Sequence, residues 1–319
     1  MERDAKIFVA GHRGLVGSAI ERNLISRGFR RIVTRTRSQL DLRDGQAVAE
    51  FFRQERFDYV FLAAAKVGGI LANRDKPGEF IRDNLYIQTN VIDAAYRTYV
   101  KKLLFLGSSC IYPKLAPQPL REEYLLTGEL EPTNEAYAIA KIAGIKMCQA
   151  YNRQYGTSFL SAMPTNLYGP GDNFDPQTSH VLPGLIRKMH EAKENEAPFV
   201  EVWGSGRPRR EFLHADDLAD ACVHLMETYR EDDIVNIGTG EDLTIRELAE
   251  LVKSAVGYSG ELRFNPDMPD GTPRKLLDCS KMERLGWQAK ISLQDGLAST
   301  YRWFLENIAA KTEERRILS

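Results

Sequence analysis

Cysteine is scarce, and the little there is falls in no pattern: four residues, at 110, 148, 222 and 279, with no CxxC and no ligand spacing. That excludes a disulfide framework and a thiolate metal centre, and no metal is expected. An excess of charge of either sign is lacking too. Lys plus Arg total 43 against 44 for Asp plus Glu, so no net field draws nucleic acid or a membrane, and any anion site must be local. No apolar run approaches the roughly 20 residues that span a bilayer. The N-terminus passes from Met1-Glu2-Arg3-Asp4 straight into an apolar strand, with no signal segment. The expectation is a cytosolic protein with reduced thiols. Repeats and low-complexity tracts are absent, and the charged tail from Lys311 to Arg316 reads as a frayed helix end.

What is present is alternation. The apolar runs Lys6-Ile7-Phe8-Val9-Ala10, Arg31-Ile32-Val33, Tyr59-Val60-Phe61-Leu62-Ala63, Leu103-Leu104-Phe105-Leu106 and Phe159-Leu160-Ser161-Ala162 are separated by amphipathic stretches. Continuous apolar strands between helices indicate a parallel sheet covered on both faces. The expected class is α/β, a doubly wound Rossmann sheet with a smaller C-terminal α/β lobe. After about Pro164 the texture shifts to Gly, Pro, Asn and aromatic punctuation. Helices are expected near 181–193, 215–229, 243–256 and 292–307, with a strand near Ile234-Val235-Asn236-Ile237. A division at 1–165 and 166–319 follows, with part of 211–240 packing back on the first lobe. At 319 residues the chain is long enough for both.

The first strand runs directly into Gly11-His12-Arg13-Gly14-Leu15-Val16-Gly17, and a helix follows at once. Glycines here permit a tight turn, close approach to a pyrophosphate and close helix–sheet packing, with the phosphates at the helix N-terminus. NAD enzymes place a carboxylate about 20 residues on, for the ribose 2′-hydroxyl. Here no acid lies between Glu21 and Asp41, and the second strand ends in Thr34-Arg35-Thr36-Arg37. Guanidinium groups suit a 2′-phosphate, and Arg13 could reach the same group. The cofactor expected is NADP(H).

Further on, Tyr137 precedes Lys141 by one helical turn, which puts both on one face and lets the ammonium lower the phenol's pKa from about 10 toward neutrality. Tyr137 would then be a general acid. Cys110, two positions past Ser108, and His180 form a second pair whose free pKa values of roughly 8.5 and 6.5 bracket neutrality. A plain reductase needs no such pair. Cys148, Cys222 and Cys279 read as buried apolar fillers.

With Gly11/Gly14/Gly17, Ser108 after a strand, Tyr137-x-x-x-Lys141 and Arg210-Glu211-Phe212-Leu213-His214 in order, the chain resembles the extended short-chain dehydrogenase/reductase superfamily over nearly its whole length. The runs Leu106-Gly107-Ser108-Ser109-Cys110, Met163-Pro164-Thr165-Asn166-Leu167-Tyr168-Gly169-Pro170 and Ser179-His180-Val181 are similar to its GDP-sugar branch that epimerises C3 and C5 and then reduces C4. The resemblance implies that Cys110 removes the protons next to the 4-ketone and His180 returns them from the opposite face. It further implies that Tyr137 and Ser108 serve the ketone oxygen during NADPH-dependent reduction, while Lys141 holds the nicotinamide ribose.

By the same resemblance the cofactor lies along Gly11, His12, Arg13, Gly14, Leu15, Val16 and Gly17, then Arg37, Asp41 and Leu42. Leu106, Gly107, Ser108 and Ser109 continue the lining, with Lys141, Pro164, Thr165, Asn166, Leu167 and His180. The GDP-sugar would meet Asn166, Lys188, Trp203, Arg210, Asp270 and Lys275. Arg207 and Arg209 are either diphosphate ligands or surface charge. Sister 4,6-dehydratases tend to carry an acid beside the serine and 4-epimerases a small or aliphatic residue, so Cys110 separates this chain from those alternatives. A homodimer through helices near 79–97 and 137–153 is expected.

Overall fold

The computed structural model describes residues 1–268 and 270–310; the tail from Lys311 to Arg316 lies outside the described residues. Strand and helix alternate through the first half as β1 (Lys6–Ala10), α1 (Leu15–Ser26), β2 (Arg31–Val33), α2 (Gly45–Glu55), β3 (Tyr59–Leu62), α3 (Ile70–Asp75), α4 (Pro77–Arg97), β4 (Lys102–Leu106), α5 (Glu135–Tyr155) and β5 (Phe159–Pro164). The second half holds β6 (Asn166–Tyr168), α6 (Val181–Glu194), β7 (Phe199–Trp203), β8 (Arg209–Arg210), β9 (Phe212–His214), α7 (Ala215–Thr228) and β10 (Val235–Ile237). It ends with β11 (Leu243–Thr244), α8 (Ile245–Val256), β12 (Glu261–Asn265), β13 (Arg274–Lys275), α9 (Ser280–Arg284) and α10 (Leu293–Phe304).

Six strands form the main sheet in the order β10-β5-β4-β3-β1-β2, every pair parallel. All residues of β3, β4 and β5 are buried, as strands covered by helices on both faces require. On one face Ile7, Val9, Phe61 and Leu104 pack against α1 and α7. On the other, Phe8 meets Phe51, Phe52 and Phe57 at ring-centroid distances of 5.2, 5.7 and 5.1 Å. Each such aromatic pair adds about 0.5–1.5 kcal/mol beyond area burial.

The chain returns to this sheet late. β10 pairs with β5, and α7 lies against α1. The buried Lys102 fixes the return, its ammonium donating to the carbonyls of Leu225 at 2.8 Å, Met226 at 3.0 Å and Tyr229 at 2.5 Å, which belong to the last turn of α7 and the residue beyond. A cation there complements the helix dipole, though burial lowers its pKa to about 7. A separate core gathers Leu185, Ile186, Met189, Val202, Leu248, Val252 and Phe304 from α6, β7, α8 and α10. The small pairings β7–β12 and β11–β8–β13 were not expected from the sequence; the two-residue strands β8, β11 and β13 leave no readable period.

Candidate active site

Two glycines are required where β1 passes into α1. Gly11 has φ +90°, and a Cβ there would stand 2.8 Å from the Ala64 amide nitrogen, while one on Gly17 would stand 2.1 Å from the Gly11 carbonyl oxygen. Gly14 caps α1 with no side-chain hydrogen bond, and the first turn carries no acid. The amides of that turn and its positive dipole end are therefore left for an anion. The loop borders a cleft of about 1430 Å³ lined from Phe8 through Lys275 by residues of both halves of the sequence.

Every cofactor position named from the sequence lines this cleft except His12, whose Nδ1 is buried without a hydrogen-bond partner. The arginine pair divides. Arg35 forms an ion pair with Glu55 at 2.9 Å and lies over the Phe51 ring at 5.0 Å, so its guanidinium is largely committed to the fold. Arg37 is 73 % exposed and holds Asp41 only at 3.8 Å, and Arg13 is exposed as well. Asp41 is taken by Arg43 at 2.6 Å, which holds its carboxyl down at about 2. Arg43 reaches buried Asp83, which also meets Lys66 and Arg82. This charged cluster borders the cleft and was not identified from the sequence, because Asp83 lies 40 positions beyond Arg43.

At the centre, Ser108 caps a short 3-10 turn by accepting from the Cys110 amide at 3.2 Å. Cys110 Sγ accepts from Asn134 Nδ2 at 3.3 Å and from Lys275 Nζ at 3.4 Å. Burial opposes ionisation of this thiol, yet Lys275, the Ser108 hydrogen bond and Arg210 outweigh it and hold Cys110 below the ordinary thiol range. His180 stands at the start of α6 but makes no capping hydrogen bond, which leaves its imidazole to the cleft. The surrounding protein, and then Lys275, hold it below the ordinary histidine range.

Tyr137 and Lys141 do share a face of α5, with Lys141 Nζ 5.8 Å from the phenol ring centre. The expected lowering of the phenol is corrected, however. Burial raises Tyr137 well above the tyrosine range, the negative charge on Cys110 adds to it, and the Ser108 hydrogen bond only partly offsets both. Lys141 is itself buried, lowered to about 7, and donates to the Leu106 carbonyl at 2.7 Å. A lysine that gains little from being charged has little field to lend its neighbour.

The far end of the cleft is framed by Trp203, 42 % exposed on β7, with the Lys188 ammonium 4.7 Å from its ring centre. Asp270 clamps the turn after Trp203, accepting from the Ser205 amide and hydroxyl, both at 2.7 Å. Arg210 lines the cleft and is anchored through the carbonyls of Arg209 and Asp270. Its neighbour Glu211 is fully buried and accepts from the amides of Thr239, Gly240 and Leu277 at 2.6, 2.8 and 3.0 Å, while Asn166 donates to its carbonyl at 2.8 Å. Arg209 pairs with Asp242 at 2.8 Å, and neither it nor Arg207 lines the cleft.

Asn134 is the residue the sequence reading passes over. Pro132-Thr133-Asn134 is a helix-start signal, and Asn134 is the N-cap of α5. Yet it makes no cap bond, because its amide is turned to Cys110.

The model of the NAD dependent epimerase/dehydratase family matches residues 7–238. GDP-L-fucose synthase 1 of Arabidopsis thaliana is 62 % identical over 307 residues, covering 96 % of this chain and 95 % of that one. GDP-L-fucose synthase of Escherichia coli is 58 % identical over 311 residues, 95 % and 97 % of the two chains. Among solved structures, a GDP-L-fucose synthetase from Naegleria fowleri bound to NADP superposes with a TM-score of 0.91 at 32 % identity, covering 97 % of this chain and 95 % of that one. With a glycine cradle, a Ser-Tyr-Lys set and likeness over this span, the chain belongs to the NAD dependent epimerase/dehydratase family.

Proposed function

We propose that the chain converts GDP-4-keto-6-deoxy-D-mannose to GDP-L-fucose, inverting C3 and C5 and then reducing the C4 ketone with NADPH. The observation that carries this reading is a low-lying thiol and an imidazole on the same cleft as the Ser108, Tyr137 and Lys141 set. The relatives named above support it. Hydrogens at C3 and C5 of a 4-keto sugar are acidic because the carbanion is an enolate of the ketone. Cys110, held toward its thiolate, takes the proton. His180 returns one from the other face, and an imidazolium whose pKa is depressed is the stronger acid for that step. Ser108 and Tyr137 then stabilise the charge that develops on the ketone oxygen, and Tyr137 supplies its proton. A phenol this reluctant to ionise donates only as that charge appears.

NADP(H) fits the uncapped α1 turn, with the exposed Arg13 and Arg37 meeting its 2′-phosphate and Lys141 its nicotinamide ribose. When bound, NADPH supplies the hydride for C4. Lys188, Arg210 and Lys275 bring positive charge to a diphosphate, and Trp203 offers a ring to a base. The protein works in the cytosol, which suits its four free thiols. It forms a homodimer through α4 and α5, where Tyr86 and Ile139 stand 52 % and 41 % exposed.

Purified protein mixed with the keto sugar and NADPH in deuterated water tests the reading. Equimolar NADPH oxidation and deuterium at C3 and C5 of the product are expected. Deuterium-free product, or turnover without net NADPH oxidation, would assign a simple reductase or a 4-epimerase instead.

A further inference from the structure

Cys110, Asn134 and Lys275 line both the main cleft and a small cavity beside it of about 20 Å³, room for one water. Two nitrogen donors from distant parts of the chain meet on the one sulfur, Asn134 Nδ2 at 3.3 Å and Lys275 Nζ at 3.4 Å. The α5 N-cap position normally spends its side chain on the helix amides, whereas Asn134 spends its donor on sulfur and leaves its Oδ1 buried with no partner. The Lys275 side chain has this sulfur as its hydrogen-bond partner among the described residues.

We propose, building on the function above, that Asn134 and Lys275 are positioning residues that hold Cys110 as a proton-accepting thiolate before any sugar arrives. Donors to an anionic sulfur favour its charged form, and a cation within hydrogen-bond reach does so more strongly. The other charged or titratable groups around the thiol are Arg210 on β8, Tyr137 on α5, and Glu131 on the cavity wall, the last ion-paired to Lys114 at 3.0 Å. Arg210 works in the same direction as Lys275 but is anchored to backbone carbonyls instead of the sulfur. Lys275 thus has two tasks to separate: lying where the sugar nucleotide would sit, and charging the base. Its charge also reaches His180, so a single ammonium biases both members of the pair toward losing protons.

The test needs no substrate. The rate of iodoacetamide alkylation at Cys110 is followed against pH in the intact protein by peptide mass spectrometry, for the wild type, Lys275→Met, Lys275→Arg and Asn134→Leu. The inflection in Lys275→Met should move up by about one pH unit or more, the shift an opposite charge at this range produces. Lys275→Arg should stay near the wild type, showing that charge and not disturbance of the fold is read, and Asn134→Leu should move up by less. Unchanged inflections in both Lys275→Met and Asn134→Leu would overturn the proposal. The enzyme could still make GDP-L-fucose in that case, and a protein inactive on the keto sugar could still show the shift.

Discussion

Lys275 Nζ and Cys110 Sγ lie 3.4 Å apart although 165 positions separate the two residues. The contact joins β13 to the turn after β4 of the main sheet, so the group proposed above as the base is completed only when these two distant parts of the chain come together. Its acid–base character and its place in the fold are one arrangement.

The two proton systems should separate by mutation. Cys110→Ser is expected to slow wash-in of deuterium at C3 and C5 by at least about a hundredfold, the scale of general base catalysis. Tyr137→Phe should slow hydride transfer by a similar factor and leave exchange near the wild-type rate. Mass spectrometry of the sugar and absorbance of NADPH read the two steps separately, and equal loss of both in each variant would refute the division.

The pH profile follows from the directions of shift. His180 lies below its ordinary value, so its protonated fraction is lost as pH rises through a point on the acid side of free histidine. Cys110 also lies below its ordinary value, so its thiolate appears earlier than in a free thiol. The kcat/KM for exchange should be a bell with both limbs displaced to lower pH. In Lys275→Met both limbs should move to higher pH, since the same cation depresses both groups.

In the proposed function, cofactor choice rests on Arg37 and Arg13. Arg37→Ala should weaken NADPH binding about tenfold or more, a loss of about 1.4 kcal/mol or greater, and leave NADH nearly unchanged. Arg35→Ala should act instead on stability, through the lost contacts to Glu55 and Phe51. Titration calorimetry with the two nucleotides and a thermal melt distinguish the cases; equal loss of NADPH and NADH in Arg37→Ala would exclude a phosphate clamp.

Alkylation should also be selective. Burial drives Cys148 to about 12 and Cys222 and Cys279 higher still, so all three remain protonated thiols well above neutral pH. Iodoacetamide at pH 8 should label Cys110 alone in the folded protein, and all four cysteines in denaturant.

The five apolar runs of the first half are legible because strands buried on both faces need no polar alternation; β3 and β4 are apolar from end to end apart from Lys102. The glycine loop is legible for the same kind of reason, since backbone crowding at Gly11 and Gly17 admits nothing larger. What cannot be read locally is which side chain answers which. Arg35 and Arg37 look alike in sequence, and only the position of Glu55 on α2 commits the first of them. Asn134 announces a helix start and turns out to face a thiol, and Glu211 looks like one member of a charged run but lies fully buried under three amides. The phenol and the lysine occupy the expected face of α5, but spacing carries no information about burial, which sets both their proton affinities.

Lys102 sits on a strand of the first half, yet all three of its acceptors are carbonyls supplied more than a hundred residues later. A fragment ending near residue 165 would keep the glycine cradle but lose all three acceptors of this ammonium and the apolar side of α7 that covers the sheet, with the edge of β5 bare beside it. Such a piece should be recovered as aggregate and regain solubility when 166–310 is supplied as a separate chain. Cutting the gene where the texture of the sequence changes would therefore part Lys102 from the carbonyls that hold it.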